Sequence, residues 1–135
     1  MAFYLDTSAL VKLVIPEAET EALGTWLATS PGTLVSCDLT RTELARATRR
    51  VAPSRSLRVR AVLEAITLTK VTTATFEAAG RLDPEGLRSL DAIHLAAALD
   101  LGDDLEGFVA YDRRLAEAAE ANGIAVSAPG QTPTR

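Results

Sequence analysis

Short apolar runs alternate along the chain with longer segments in which apolar residues recur every three or four positions. The short runs are rich in β-branched and aromatic residues and predict buried strands. The longer segments predict helices, several of them bounded by a proline or closed by a glycine. The predicted strands are 2–5, 34–36, 66–71, 107–111 and 124–126, and the predicted helices are 8–15, 17–29, 40–51, one that begins near Ser54, 72–80, 89–101 and 112–122.

This alternation of strands and helices indicates an α/β fold with a parallel sheet that is covered on both faces. In such sheets a ligand binds beyond the carboxyl ends of the strands, where the strand order reverses. The residues directly after each strand are therefore the first candidates for a functional site. The 135 residues suit one domain. We expect that domain to span residues 1–128 and residues 129–135 to form a flexible tail.

The composition excludes some classes of site. With one cysteine, Cys37, and one histidine, His94, the chain has neither an internal disulfide nor a Cys/His zinc site. No apolar run approaches the roughly 18 residues of a membrane helix, and no secretory leader is visible. We therefore expect a soluble cytoplasmic protein without a membrane partner.

Charge is unevenly distributed. The net charge is −4, yet half of the 14 basic residues are arginines within residues 41–60, where Glu43 is the single acid. Such a segment is either a solvated helical surface or a face that attracts phosphate, and composition alone favours the solvated surface.

Two acids follow predicted strands, so they should lie at the carboxyl edge of the sheet. Asp6 comes after residues 2–5, and Asp112 comes after residues 107–111. Each also precedes a helix, where aspartate is a good N-cap. For Asp112 the cap is the simpler explanation. For Asp6 it is weaker, because Thr7 and Ser8 are able to cap the same helix without an acid.

Two further acids lie near helix N-termini. Glu43 completes the capping-box pattern Thr40-Arg41-Thr42-Glu43, a purely structural explanation. Asp91 is different, because its helix is apolar on nearly every side and should be buried. No basic residue except His94 shares its face, so we expect a cation from outside the helix to compensate its charge.

Together the four acids predict a metal site. Four carboxylates in one pocket repel each other unless cations intervene, and carboxylate oxygens suit Mg²⁺ or Mn²⁺. Thr7 and Ser8 are candidates to hold the carboxylates or a metal-bound water from behind. Without the four acids, the chain has 14 acidic and 14 basic residues. The net charge of −4 therefore equals the summed charge of the four carboxylates in the predicted site. His94, inside the apolar helix, is interpreted as a core histidine bonded to a carboxylate or carbonyl, outside the catalytic set.

Four segments of the chain resemble the PIN-domain family, specifically its VapC-type toxin ribonucleases. They are residues 3–12 (FYLDTSALVK), 39–44 (LTRTEL), 87–96 (LRSLDAIHLA) and 111–115 (YDRRL). The third is the most specific, and order, spacing and length agree over essentially the whole chain. The resemblance implies a three-layer α/β/α PIN-like domain with a short central parallel sheet.

The resemblance also implies a metal-dependent endoribonuclease, the toxin of a toxin–antitoxin pair. By position, Asp6, Glu43, Asp91 and Asp112 become the catalytic metal-binding acids for Mg²⁺ (or Mn²⁺), and cleavage leaves 5′-phosphate and 3′-hydroxyl ends. The family often has Thr or Ser two residues before the fourth acid, where this chain has Ala110, so Asp112 is expected to act through water. The resemblance further implies a cognate antitoxin and a homodimer. The arginines expected to hold the RNA backbone are Arg41, Arg46, Arg49, Arg50, Arg113 and Arg114.

Two other functions use the same fold. A non-catalytic PIN-fold module that binds RNA or a partner would need no metal, but it gains nothing from four acids that repel phosphate. A receiver-like phospho-acceptor needs paired acids at the first strand and a lysine after a late strand, and the sequence has neither.

Overall fold

The computed structural model describes residues 1–30 and 32–131. The strands are β1 (Ala2–Leu5), β2 (Thr33–Cys37), β3 (Thr67–Thr69), β4 (Leu105–Val109) and β5 (Val126–Ser127). The helices are α1 (Thr7–Val14), α2 (Thr20–Thr29), α3 (Leu39–Val51), α4 (Ser56–Glu64), α5 (Thr73–Ala79), α6 (Ser89–Leu99) and α7 (Arg113–Ala121), with short 3-10 turns at Pro53–Arg55 and Gly102–Asp104.

All strand pairs of the described chain are parallel, and the strand order is β3-β2-β1-β4-β5. Strands β2 and β3 extend the sheet on one side of β1, and β4 and β5 extend it on the other side. The order therefore reverses between β1 and β4, which is where a ligand site is expected in an open parallel sheet. Asp6 follows one of these two strands and Asp112 follows the other.

Helices cover both faces of the sheet. Because side chains alternate along a strand, Tyr4 and Phe108 pack with α6 and α7 on one face. The neighbouring Leu5 and Val109 pack with α1, α2, α3 and α4 on the other. Helix α5 lies outside α6, joined to it through Ala79, Ala92 and Ala96. The predicted α/β class and three-layer arrangement are confirmed.

The predicted elements occur in the predicted order, but several of their bounds shift. The second helix begins at Thr20 and not at residue 17, because residues 16–19 form a loop and turn after Pro16. The helix expected from Ser54 begins at Ser56 after a 3-10 turn that includes Pro53, and no side chain caps it. Helix α6 ends at Leu99, ahead of Gly102, which adopts a positive φ of 57° in the following turn.

The C-terminal segment leaves the sheet after β5, and its Gly130 lies beside Ala22 of α2. The Tyr111 hydroxyl donates to the carbonyl oxygen of Pro129 at 2.8 Å. The rest of the predicted flexible tail, residues 132–135, lies outside the described residues. None of the described helices is long and apolar enough to cross a membrane.

Candidate active site

Asp6 lies at the carboxyl end of β1, beside the reversal of the strand order. Its backbone N–H donates to the carbonyl oxygen of Val109 at 3.2 Å, which ties the turn after β1 to the end of β4. Its side chain is the N-cap of α1 and accepts a long hydrogen bond from the Ala9 N–H, 3.4 Å. Thr7 and Ser8 lie inside the helix, so the cap is Asp6 and neither of these two alternative residues.

The Asp6 carboxylate is almost completely buried, with 4% of the residue exposed. Ser8 Oγ donates to its Oδ1 at 2.6 Å and accepts from the Tyr111 N–H at 2.9 Å. Burial nevertheless raises the pKa of Asp6 to about 6, and the negative charge of Asp91 contributes in the same direction. Asp6 therefore has an incompletely compensated charge, the environment in which a cation is favourable.

Glu43 projects from the second turn of α3 towards the start of α1. Its Oε1 accepts from Thr7 Oγ1 at 2.7 Å and from His94 Nε2 at 2.5 Å. Burial alone raises the pKa of a carboxyl, but the bonds from His94 and Thr7 outweigh it and hold the pKa of Glu43 below its usual value.

The predicted capping box at residues 40–43 is wrong. Asp38 occupies the N-cap position of α3 without a side-chain cap bond. Thr40 turns inward instead, where its hydroxyl bonds Ser36 Oγ at 2.8 Å and Thr7 Oγ1 at 3.3 Å. Glu43 is thereby free of the cap and points into the site.

His94 is buried below Glu43, with 2% of the residue exposed. Its Nδ1 bonds the Tyr4 hydroxyl at 2.8 Å and lies 3.7 Å from Cys37 Sγ. Burial lowers the pKa of an imidazole, but the bonds to Cys37 and Glu43 prevail and raise the pKa of His94 to about 10. The expectation of a core histidine bonded to a carboxylate is confirmed.

Arg88 links the other two acids. Its Nε donates to Asp91 Oδ2 at 3.1 Å and its Nη2 to Asp112 Oδ2 at 3.0 Å. The Asp91 side chain is largely shielded from water, as expected, with 17% exposed, but the expectation that it lacks a basic neighbour is wrong. The expectation failed because it considered only one face of α6, whereas Arg88 reaches Asp91 from the N-cap position. Asp112 caps α7 through the Leu115 N–H, as predicted.

The four acids thus lie at one edge of the sheet, each in contact with other groups of the chain. Asp91 acts electrostatically on Asp6, Arg88 connects Asp91 to Asp112, and Glu43 bonds the residue that follows Asp6. Within residues 1–30 and 32–131, no three carboxylate, histidine or cysteine side chains form a ready-made metal cage. That does not conflict with Mg²⁺, which usually takes one or two carboxylates and completes its shell with water and phosphate.

The predicted RNA-binding arginines are all exposed. Arg46, Arg49 and Arg50 line one depression of about 400 Å³ on α3. Arg41 pairs with Asp38 at 2.9 Å. Arg113 and Arg114 begin α7, directly after Asp112.

Two arginines of the same basic segment have a structural role. Arg58 Nε donates to the Leu13 carbonyl at 3.0 Å and Arg55 Nη1 to the Val14 carbonyl at 3.3 Å. They bind the carboxyl end of α1, whose last carbonyls have no partner within the helix.

Residues 3–121 match the family model described as PIN domain. The chain belongs to the PIN domain family. The predicted family resemblance is therefore confirmed over most of the chain.

Curated relatives of this PIN domain are similar over nearly their full length. Ribonuclease VapC35 of Mycobacterium tuberculosis is 44% identical, covering 95% of this chain and 97% of the relative. Ribonuclease VapC47 of the same species is 40% identical, covering 94% and 96%. Ribonuclease VapC46 is 43% identical, covering 95% and 98%.

Solved structures share the fold at low sequence identity. VapC20 of Mycobacterium tuberculosis, described as a sarcin-ricin loop cleaving toxin, aligns with a TM-score of 0.73 at 19% identity, covering 91% of this chain and 96% of that one. A toxin–antitoxin complex from Klebsiella pneumoniae aligns with a TM-score of 0.71 at 20% identity, covering 96% and 98%. These alignments confirm the predicted fold.

Sequence reasoning missed two side chains that organise this PIN-domain site, Arg88 and Tyr4, and identified a third, His94, without a role at the site. Arg88 was visible as the residue three before Asp91, a spacing at which oppositely charged side chains meet at a helix start. His94 was noticed but assigned to the core. Tyr4 gave no signal at all, because its partner His94 is 90 residues away.

Proposed function

We propose that this chain is a divalent-metal-dependent endoribonuclease and the toxin of a toxin–antitoxin pair. The observation that carries the proposal is the position of Asp6, Glu43, Asp91 and Asp112, which come from separate parts of the sequence and lie together at the reversal of the strand order. Membership of the PIN domain family and the ribonuclease names of the curated relatives support it.

Mg²⁺ fits the site by the chemistry of its donors. The donors are carboxylate oxygens, and Asp6 is buried with its charge incompletely compensated. One or two of Asp6, Glu43 and Asp91 would hold the ion directly, and the remaining acids, with Asp112, would hold it through water. When bound, Mg²⁺ or Mn²⁺ would supply an activated water and neutralise charge on the scissile phosphate.

The chain's own residues orient the reactants. Thr7 and Ser8 fix the carboxylates of Glu43 and Asp6 through short hydrogen bonds. One of the carboxylates orients the attacking water for in-line displacement at phosphorus. The products would be a 5′-phosphate and a 3′-hydroxyl.

The exposed arginines of α3 and α7 would hold the RNA backbone. Aromatic side chains are scarce, and Tyr4, Phe108 and Trp26 lie in or against the core clusters. RNA shape and local groove contacts, not base stacking on aromatic rings, would then set specificity.

The partners follow from the same assignment. We infer a cognate antitoxin that blocks the site and a homodimer as the active form. The toxin–antitoxin complex from Klebsiella pneumoniae, which shares the fold, supports the antitoxin.

We place the protein in the cytoplasm, where RNA substrates are available and the free, buried Cys37 stays reduced.

The test is RNA cleavage by the purified chain, free of antitoxin, with Mg²⁺, with Mn²⁺ and with EDTA. Cleavage should require the metal and fall at least 100-fold in D6N and D91N, because each substitution removes a ligand charge. The matched control is D103N, which removes an exposed acid from the turn before β4 and should cleave like the wild type.

Cleavage that persists in EDTA, or in both D6N and D91N, would contradict the metal mechanism. RNA binding that needs no metal and is never followed by cleavage would support the non-catalytic module instead. Circular dichroism of each variant separates loss of activity from loss of fold.

A further inference from the structure

Two hydrogen-bond donors converge on a single oxygen of Glu43. Thr7 Oγ1 and His94 Nε2 both bond Oε1, at 2.7 Å and 2.5 Å. The Glu43 side chain is still 27% exposed. With Oε1 occupied by two donors, Oε2 is the oxygen available to a ligand.

The chemistry of the partners fixes the direction of the bond between His94 and Glu43. An ionised carboxylate only accepts hydrogen bonds, so Nε2 must carry a proton and donate it to Glu43. Nδ1 bonds the Tyr4 hydroxyl in either protonation state, because it accepts from the hydroxyl when the ring is neutral and donates to it when the ring is protonated. Tyr4 therefore holds the ring in the orientation in which Nε2 faces Glu43.

A second series of bonds reaches the same oxygen from the other side. Thr7 gives its hydroxyl proton to Glu43, so it accepts from Thr40 at 3.3 Å. Thr40 in turn accepts from Ser36 at 2.8 Å. Both series of bonds thus end at Oε1, and the hydroxyl protons of Ser36, Thr40 and Thr7 are all assigned. A buried polar network whose members are all bonded is rigid.

The residues behind His94 are themselves fixed in the core. The Tyr4 ring is fully buried and stacks on Phe108, with centroids 5.3 Å apart and planes at 9°. It meets the His94 ring edge-on at 5.9 Å. The hydroxyl that orients His94 therefore has little freedom, and neither does the imidazole.

We propose that His94, oriented by Tyr4, is a positioning residue that holds Glu43 with Oε2 presented to the metal and substrate. This inference rests on the proposed ribonuclease function. Any buried histidine needs hydrogen-bond partners, but here the partner of Nε2 is Glu43, an acid of the proposed metal site. A glutamate side chain has several rotatable bonds, so holding it in one orientation before the ligand arrives improves both ligand binding and the reaction.

The discriminating variants are H94Q and H94L. The glutamine amide nitrogen can take the place of Nε2 and donate to Glu43, whereas leucine fills similar space without a donor. We expect H94L to lower kcat for RNA cleavage by about 10- to 100-fold with KM changed by less than about threefold, and H94Q to retain most of the wild-type kcat.

A second readout is independent of cleavage. Isothermal titration with Mn²⁺ alone should show roughly tenfold weaker binding in H94L and near wild-type binding in H94Q.

Y4F is the milder variant should H94L fail to fold. It loses one hydrogen bond at the ring and should lower kcat by about fivefold. L23A, a buried residue of α2 outside the network, is the control for reduced stability and should keep the wild-type kcat.

The proposal is overturned if folded H94L or Y4F matches the wild type in both kcat and Mn²⁺ affinity, or if H94Q loses as much as H94L. Failure of the proposed function gives a different result, in which the wild type itself does not cleave RNA. In that case the Mn²⁺ affinities of H94L and H94Q still decide whether His94 positions Glu43.

Discussion

Asp6 combines the deepest burial of the four acids with the weakest compensation. Asp91 and Asp112 share Arg88, and Glu43 has His94, whereas Asp6 bonds the neutral Ser8 hydroxyl and a backbone N–H. A residue that serves a ligand often destabilises the fold that presents it. Asp6 should therefore lower the stability of the metal-free protein.

The pH dependence of stability tests this directly. The pKa of Asp6 is raised from 3.8 to about 6, so the folded state binds this proton more tightly than the unfolded chain. Below about pH 4 the group is protonated in both states and lowers stability little. The loss of stability grows as pH rises from about 4 to 6, and then stays constant.

D6N removes this titration. Asparagine is as good an N-cap as aspartate, so D6N should be more stable than the wild type in EDTA at pH 7 by roughly 1–3 kcal/mol and nearly equal at pH 4. Urea unfolding at both pH values measures the difference. Equal stability of the two proteins at pH 7 would mean that other groups compensate the charge.

Helix α6 shows how an element's terminus differs from its interior. Its middle is apolar and buried, as the pattern predicts, while its first turn reaches the sheet edge, where Asp91 is partly exposed and paired with Arg88. An exposed ion pair contributes about 0–1 kcal/mol, and an acid near a helix N-terminus a similar amount. Asp91 is therefore close to neutral for stability.

D91N should consequently lower the free energy of unfolding by no more than about 1 kcal/mol in EDTA, while it abolishes cleavage in Mg²⁺. This differs from D6N, which should stabilise. Thermal unfolding of the two variants side by side provides the comparison, and a gain in stability for D91N would show that the pairing with Arg88 is absent in solution.

Helices α3 and α4 divide the arginine-rich segment between two roles. Arg55 and Arg58 bind the end of α1, whereas Arg46, Arg49 and Arg50 face a depression on α3. The sequence placed these arginines in a single charged stretch. Their different partners separate contributions to stability from the proposed contribution to RNA binding.

Salt dependence distinguishes the two groups. The triple variant R46A/R49A/R50A should weaken RNA binding and reduce the slope of log affinity against log salt by roughly 2, since each contact to single-stranded RNA contributes about 0.7. R58A is the matched control, expected to lose about 0.5–1.5 kcal/mol of stability with the slope unchanged. An unchanged slope in the triple variant would place the RNA elsewhere.

For the molecule as a whole, the proposed function depends on the return of the chain to β1. Strands β1 and β4 are adjacent, although about a hundred residues separate them. Their carboxyl ends bring Asp6 and Asp112 to one edge, and α6 packs beneath with Asp91 and His94. Long-range pairing of this kind creates a site that no short segment contains.

The sequence determined the features that depend on neighbouring residues. Hydrophobic periodicity gave the order of strands and helices, and the ends of the strands identified Asp6 and Asp112 as edge residues. The motifs at residues 3–12 and 87–96 pointed to the PIN family. These inferences succeeded because periodicity, turns and caps act over a few residues.

Only the tertiary structure decided where the side chains of the site point. Two predictions were wrong, the capping box at Glu43 and the absence of a basic partner for Asp91. Each side chain bonds residues that the local sequence pattern does not show. Glu43 bonds Thr7 and His94, 36 and 51 residues away, while Asp91 shares Arg88 with Asp112. A carboxylate takes the donors that folding brings to it, and those donors are set by the sheet order and by packing.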